Sequence, residues 1–274
     1  MNTTEQARTG WDGVAEGYDT YVTPLVVPLA EEVLGRVDVR PGTRLLDVGA
    51  GSGALALAAA RRGAHVVATD IAPGMIARLQ ARARDERLTN VESRVMDAYS
   101  LELNDDAFDV SASQLGVTVL PELRRALGEM VRVTKPGGHV LVVALGPPQK
   151  AEFLGFFLAA LKASVPGFTG PPADRPPVQF QVAELVKFHE RLVEAGLRDI
   201  SLDTITFGLE FPSARQFWGF LMSSNPMGRA LVADLADEQR AEVQEVLAGM
   251  LRERSNGTGA AALSIDVNVA VAAK

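Results

Sequence analysis

The residues best equipped for chemistry are concentrated in Leu45 to Gly53, Leu-Leu-Asp-Val-Gly-Ala-Gly-Ser-Gly. Glycine at 49, 51 and 53 permits positive φ and removes every Cβ, so a ligand can lie against bare main chain and the free N–H groups of a following helix. Asp47 places a carboxylate beside that loop, which disfavours a pyrophosphate there and favours a ligand carrying positive charge. Groups able to move a proton are scarce. The chain has 3 histidines, 3 tyrosines and no cysteine, which excludes disulfides, zinc-thiolate sites, thiol nucleophiles and cysteine-ligated iron–sulfur clusters. No metal site is expected. Tyr18, Tyr21 and His189 are the candidates for catalytic hydrogen bonding or proton transfer. His189 shares a helical stripe with Val182, Leu185, Val186, Leu192 and Val193, so it is either a packed histidine or a general base.

The elements that must hold these groups alternate strand and helix. Leu45, Leu46 and Val48 read as a buried parallel strand, and Ala54 to Ala60 begins the helix after the glycine turn. His65 to Asp70 is the second strand, closing on an acid, and Pro73 opens a helix to about Asp85. Val91 to Ala98 is the third strand, ending on Asp97-Ala98; Val110 to Leu115 is the fourth, with Gln114 to Val117 at its carboxyl end. Pro121 to Val133 is an amphipathic helix, and Pro136-Gly137-Gly138 turns the chain into a fifth strand, Val140 to Leu145. Open α/β sheets bind ligands at the carboxyl ends of their strands, which leaves His65 and His139 at the opposite edge.

The string Asp47-x-Gly49-x-Gly51-x-Gly53 resembles motif I of the class I S-adenosylmethionine-dependent methyltransferases. Two further segments resemble the ubiquinone/menaquinone-biosynthesis type of that family: Trp11 to Tyr21, with its Tyr18-Asp19 pair, and Met130 to Leu141, which carries Lys135-Pro136-Gly137-Gly138. The resemblance covers about Trp11 to Leu145. It implies a Rossmann-like, doubly wound seven-stranded sheet whose last strand is antiparallel. S-adenosylmethionine would be the cofactor and S-adenosylhomocysteine its product. By the same resemblance the cofactor would be held by Asp47, Gly49, Ala50, Gly51, Gly53, Asp70, Ile71, Met75, Asp97, Ala98, Gln114 and Tyr18. Asp70 would take the ribose hydroxyls and Met75 would pack on adenine, while Asp97-Ala98 either holds the adenine edge or is an ordinary loop. Trp11 to Tyr21 would fold over the cofactor; alternatively its aromatics pin an N-terminal helix to the core.

Beyond residue 146 the composition changes, with 10 of the 11 phenylalanines between Phe153 and Phe220. Ala151 to Val165 and Val182 to Ala195 read as helices around an irregular loop, Pro166 to Val178; Leu197 to Phe211 is a sixth strand. Ser213 to Met222 and Asp237 to Arg254 are further helices, and the period-2 alternation in Ala262 to Ala272 marks the seventh strand. The chain is thus expected to be a single domain, 1–274. An N-terminal lid spans 1–40, and cap insertions at 146–180 and 212–258 follow strands 5 and 6. Phe153, Phe157, Phe217, Trp218 and Met222 are the candidates to touch substrate, against the alternative that small helices need large side chains for a core.

The expected activity is methyl transfer to a small, lipophilic or aromatic acceptor. A nicotinamide-dependent oxidoreductase is the first alternative, since Gly49, Gly51 and Ala54 satisfy the loose dinucleotide fingerprint. Against it, no tyrosine has a lysine four residues on. A cofactor-binding protein without transferase activity is the second. A net charge of −7 without a basic block makes nucleic acid a poor partner. No run approaches the ~18 apolar residues of a membrane span, so a cytoplasmic protein is expected. Oligomeric state is not legible.

Overall fold

Apolar residues at alternate strand positions divide the interior into two layers on either side of one sheet. A computed structural model describes residues 3–170, 177–257 and 259–274. Its strands are β1 (Arg44–Val48), β2 (His65–Asp70), β3 (Val91–Val95), β4 (Phe108–Gln114), β5 (Thr134–Leu145), β6 (Arg198–Phe211) and β7 (Ala261–Ala273). Its helices are α1 (Thr3–Asp12), α2 (Ala15–Gly17), α3 (Thr23–Leu34), α4 (Ala54–Arg61), α5 (Pro73–Asp85), α6 (Leu123–Val133), α7 (Glu152–Ser164), α8 (Leu185–Glu194), α9 (Ala214–Ser223), α10 (Pro226–Ala230) and α11 (Asp237–Arg254). The sheet order is β3-β2-β1-β4-β5-β7-β6. β1 to β5 run parallel, and β7 lies antiparallel between β5 and β6. This is the Rossmann-like, doubly wound arrangement expected, and its strand order reverses between β1 and β4.

Leu45, Val110, Leu141 and Val143 face a layer built by α3, α4, α7, α9 and α11. Leu46, Val48, Val140 and Val142 face the other layer, with Leu127 and Met130 of α6 and Phe188 and Leu192 of α8. Burying these two faces is the main stabilising contribution, roughly 25 cal/mol for each Å² of apolar surface removed from water.

Several boundaries moved for identifiable reasons. β3 stops at Val95, so Met96 to Ala98 leave the sheet edge. Pro136 to Gly138 is a bulge inside β5 and does not reverse the chain: the register passes from Phe108 opposite Thr134 to Val110 opposite His139, with Gly137 at φ +75°. α8 begins only at Leu185 because the carbonyls of Val182 and Ala183 accept from the Asn268 side chain of β7. A single π-helical turn, Tyr18–Val22, joins α2 to α3 and was not foreseen. The loop expected over Pro166 to Val178 lies partly outside the described residues.

Candidate active site

At the carboxyl end of β1 the chain turns sharply, with Gly49, Gly51 and Gly53 at φ +69°, +54° and +95°. The Ala50 N–H donates to the Thr69 carbonyl at 2.9 Å, while the N–H groups of Gly51 and Ala72 donate to the two carboxylate oxygens of Asp70, each at 2.9 Å. Side chains are excluded on all sides. A Cβ on Gly49 would stand 3.0 Å from Cα of Gly116, and one on Gly51 would stand 3.3 Å from Cε1 of Tyr18. Gly53 differs from the role expected of it. Its absent Cβ makes room for Leu79, whose Cγ would be 2.8 Å away, so it packs α4 against α5 and lines no described cavity.

Beside this turn is a cavity of about 350 Å³. Gly49, Gly51, Asp70, Ile71, Met75, Asp97, Ala98, Gln114 and Tyr18 all line it. A small recess of about 20 Å³ leads from it past Asp47, Ala50 and Gln114. Every residue expected at a cofactor except Gly53 therefore borders one continuous region. The early end of β3 brings Asp97 and Ala98 there, and the Tyr99 N–H fixes the Asp97 carboxylate at 2.9 Å.

The region is acidic. Asp47, Asp70, Asp97 and Glu122 border it; the one cation on its wall among the described residues, Arg125, lies 5.3 Å over the ring of Tyr99. Burial pushes the Asp47 carboxyl up to about 7, the N–H of Ala56 in the first turn of α4 opposing and the charge of Asp70 reinforcing the shift. Burial likewise raises Asp70. Two acceptors around the recess, Asp47 Oδ2 and Gln114 Oε1, are buried and have no hydrogen-bond partner among the described residues.

The N-terminal segment both roofs the cavity and is pinned to the body. Thr4, Ala7 and Trp11 of α1 line the cavity, Trp11 meets Tyr18 edge-on at 6.3 Å, and the Asp12 carboxylate accepts from the Gly74 N–H at 2.6 Å. Tyr18 is no base: burial, with Asp70 and Asp47 adding charge repulsion, pushes its phenol to about 12.

A second cavity, of about 140 Å³, shares Trp11, Tyr18, Leu115 and Val119 with the first. Val22, Leu29, Leu145, Phe153, Phe180, Phe207, Phe220 and Ile265 supply half of its remaining wall. Among the described residues no charged side chain borders it. Leu115 stands on the partition with φ +59°, a conformation that leucine adopts only at a cost of about 1–3 kcal/mol.

Of the five residues expected at substrate, only Phe153 reaches this cavity. Phe217 and Phe157 are buried in the core, against Phe211 and Trp218 respectively, and Met222 packs on the same cluster. Tyr21 also lies away from both cavities; its ring fills the space that a side chain on Gly219 would occupy. His189 is exposed on α8 and borders neither cavity, and the stripe assigned to it is inward only in part: Val182 and Leu192 are buried, whereas Leu185, Val186 at 72% and Val193 at 52% are exposed. The sequence reading placed Leu115 only as part of the strand end Gln114 to Val117, and missed Val119, Phe180, Phe207, Phe220 and Ile265. The period-2 pattern that placed Ile265 on a strand face was the one available signal for any of them.

A methyltransferase-domain family model matches residues 46–142, which include β2, β3 and β4 and most of β1 and β5. The demethylmenaquinone methyltransferase of Streptomyces avermitilis is 30% identical over 212 residues, covering 73% of this chain and 89% of that protein. The chain belongs to the class I S-adenosylmethionine-dependent methyltransferases. Within that family its relatives are of the menaquinone type. The chain is also 36% identical over 160 residues to an uncharacterized protein of Mycobacterium tuberculosis, an alignment covering 58% of this chain and 56% of that protein. The chain thus spans little more than half the length of these mycobacterial relatives. Among solved structures, the [4+2]-cyclase SpnF aligns with TM-score 0.64 at 20% identity, covering 100% of this chain and 97% of that one. A phosphoethanolamine N-methyltransferase of Haemonchus contortus, solved with S-adenosylhomocysteine, gives TM-score 0.56 at 19% identity over 90% of this chain and 52% of that one. At these identities the likeness is of fold. Among the described residues no helix is long and apolar enough to cross a membrane, and no cluster of metal-ligating side chains occurs.

Proposed function

We propose that this methyltransferase binds S-adenosylmethionine in the acidic cavity and methylates a small apolar molecule held in the neutral one. The observation that carries this reading is the meeting of two chemically opposite cavities at Trp11, Tyr18, Leu115 and Val119. The acidic side fits the cofactor. Asp47 Oδ2 and Gln114 Oε1 are buried acceptors that want a donor, as an amino-acid ammonium supplies, and the acids around them favour a cation. Asp70, held by Gly51 and Ala72, keeps free lone pairs for two adjacent hydroxyls. Met75, Ile71 and Ala98 offer apolar surface for a purine, and Asp97 an acceptor for its exocyclic amine.

When bound, the cofactor supplies an activated methyl group. The protein's work is then alignment and exclusion of water, worth a large effective concentration of the two reactants. Leu115 and Val119 form the partition across which the acceptor must face the methyl, while Tyr18 and Trp11 close it from above. Among the described residues that border the acceptor cavity none is a competent base: Tyr18 holds its proton to about 12. Reaction in line with the bond to sulfur thus falls to an acceptor that brings its own nucleophilicity. Residues 1–40 serve as the lid, and α7 and α9 as the cap that makes the acceptor side apolar, in a single cytoplasmic domain.

The name carried by the demethylmenaquinone methyltransferase relatives makes a reduced quinone ring the first acceptor to try, and the ring-lined cavity suits it. Nothing favours a dinucleotide reading: acids border the glycine turn where a pyrophosphate would need cations. The test is transfer of labelled methyl from S-adenosylmethionine to a panel of quinols and phenols. Phe207→Asp, at a half-buried wall position, should abolish transfer while S-adenosylhomocysteine binds as before. Retained transfer in that variant would place the acceptor elsewhere.

A further inference from the structure

The acceptor cavity is apolar except at a few points, and one of these is unusual. Gln179 borders it, and its Oε1 is buried without a hydrogen-bond partner among the described residues. A carboxamide has two donors and two acceptor sites and gains nothing from an apolar wall.

The turn that carries Gln179 is held rigidly. Val178–Phe180 forms a 3₁₀ turn. On its C-terminal side, Gln181 Nε2 donates to the carbonyls of Thr118 and Leu120 at 2.8 and 2.9 Å, clamping the turn to the segment that separates the two cavities. Two residues further on, Asn268 Nδ2 donates to Val182 and Ala183. Asn268 is itself held by Thr204, whose hydroxyl donates to its Oδ1 at 2.7 Å. Three polar side chains are thus spent on fixing the backbone around one amide whose oxygen has no partner among the described residues. Rigid support around an unsatisfied polar group is the arrangement of a specificity determinant, since geometry held in advance lowers the cost of recognition.

We infer that Gln179 is the specificity residue of the acceptor site, hydrogen-bonding the oxygen of a neutral hydroxylated aromatic molecule whose body fills the apolar cavity. The inference rests on the proposed use of that cavity. A half-turn of the terminal torsion exchanges the amide's oxygen and nitrogen, so the handle serves a hydroxyl as donor or as acceptor. It discriminates against the matching hydrocarbon, because a ligand without the oxygen leaves the amide unpaired in a closed site.

The test is calorimetric titration of the full chain, saturated with S-adenosylhomocysteine, using 2-naphthol and naphthalene as probes. The parent should bind 2-naphthol about tenfold or more tightly than naphthalene, as one buried hydrogen bond allows. Gln179→Leu should bring the two affinities to within about twofold, chiefly by weakening 2-naphthol. Gln181→Leu, which releases the clamp and leaves Gln179 in place, should lose part of the discrimination. Discrimination that survives Gln179→Leu would overturn the inference, as would a parent that binds both probes equally or binds neither. Failure of S-adenosylhomocysteine to bind the parent would instead sink the methyltransferase reading itself, so the two failures are distinct.

Discussion

The two cavities are built on different plans. The acidic one is made largely of neighbouring residues: Asp47 and Gly49 to Gly51, Asp70-Ile71, Asp97 to Tyr99 and Gln114 to Val117, each group at or just past the carboxyl end of a parallel strand. Its contacts are backbone and short acids. The neutral one collects single side chains from α3, β5, α7, β6, α9 and β7, which lie far apart in the chain. A ligand common to a whole family is met by local sequence, whereas the variable ligand is met by side chains whose neighbours only the fold decides.

The largest effect expected from breaking this comparison is at Asp47. Asp47→Asn removes the buried charge opposite a bound ammonium, and S-adenosylhomocysteine affinity should fall about 100-fold or more. Its effect on stability has the opposite sign. Because burial raises the folded-state pKa to about 7, stability from this group is intact below pH 4 and is lost as pH rises through 7. Asp47→Asn is therefore expected to melt at an equal or higher temperature than the parent at pH 8 in the absence of ligand. A lower melting temperature would deny that the site stores this penalty for a cation.

The same linkage gives a pH signature. If binding needs Asp47 ionised, S-adenosylhomocysteine affinity in the parent should weaken about fivefold between pH 7 and pH 6, and Asp47→Asn should be flat over that range. A parent that is also flat would assign the pH-insensitive half of the site the larger share of binding.

Leu115 tests the partition. Leu115→Gly relaxes the positive φ and should leave stability unchanged or raise it by up to about 1 kcal/mol. By merging the two cavities it should lower methyl transfer about tenfold or more, with S-adenosylhomocysteine affinity kept within threefold. Equal losses in both would show that the leucine serves the cofactor side only.

The smallest effects concern proton transfer. Tyr18→Phe keeps the ring over Gly51 and removes a hydroxyl held near pKa 12, so its rate profile between pH 6 and pH 9 should have the parent's shape. His189→Ala, on the exposed face of α8, should change neither rate nor pH dependence.

How much of this was legible follows from the same contrast. The strands themselves could be read because hydrophobic periodicity and glycine spacing are local signals, whereas the antiparallel β7 and most of the acidic cavity were legible only through the resemblance to a family. Gly53 was placed on the ligand because its spacing matches the motif, although its work is to admit Leu79. The phenylalanines could be counted but not aimed: on α7, Phe153 lines the cavity and Phe157, one turn further on, is core. Leu115 could be placed at the end of β4 with Gln114 to Val117, but not in its conformation, since nothing in a leucine announces positive φ. On α8 an apolar stripe over-read three exposed residues and drew His189 inward with them.

The measurement that tests the central claim most directly is calorimetric titration of the purified chain with S-adenosylhomocysteine, NAD and NADP, repeated on Asp47→Asn. The account predicts micromolar binding of S-adenosylhomocysteine alone, lost in the variant. Binding of either dinucleotide, with none of the thioether, would contradict it and make the acidic cavity the site of a different cofactor.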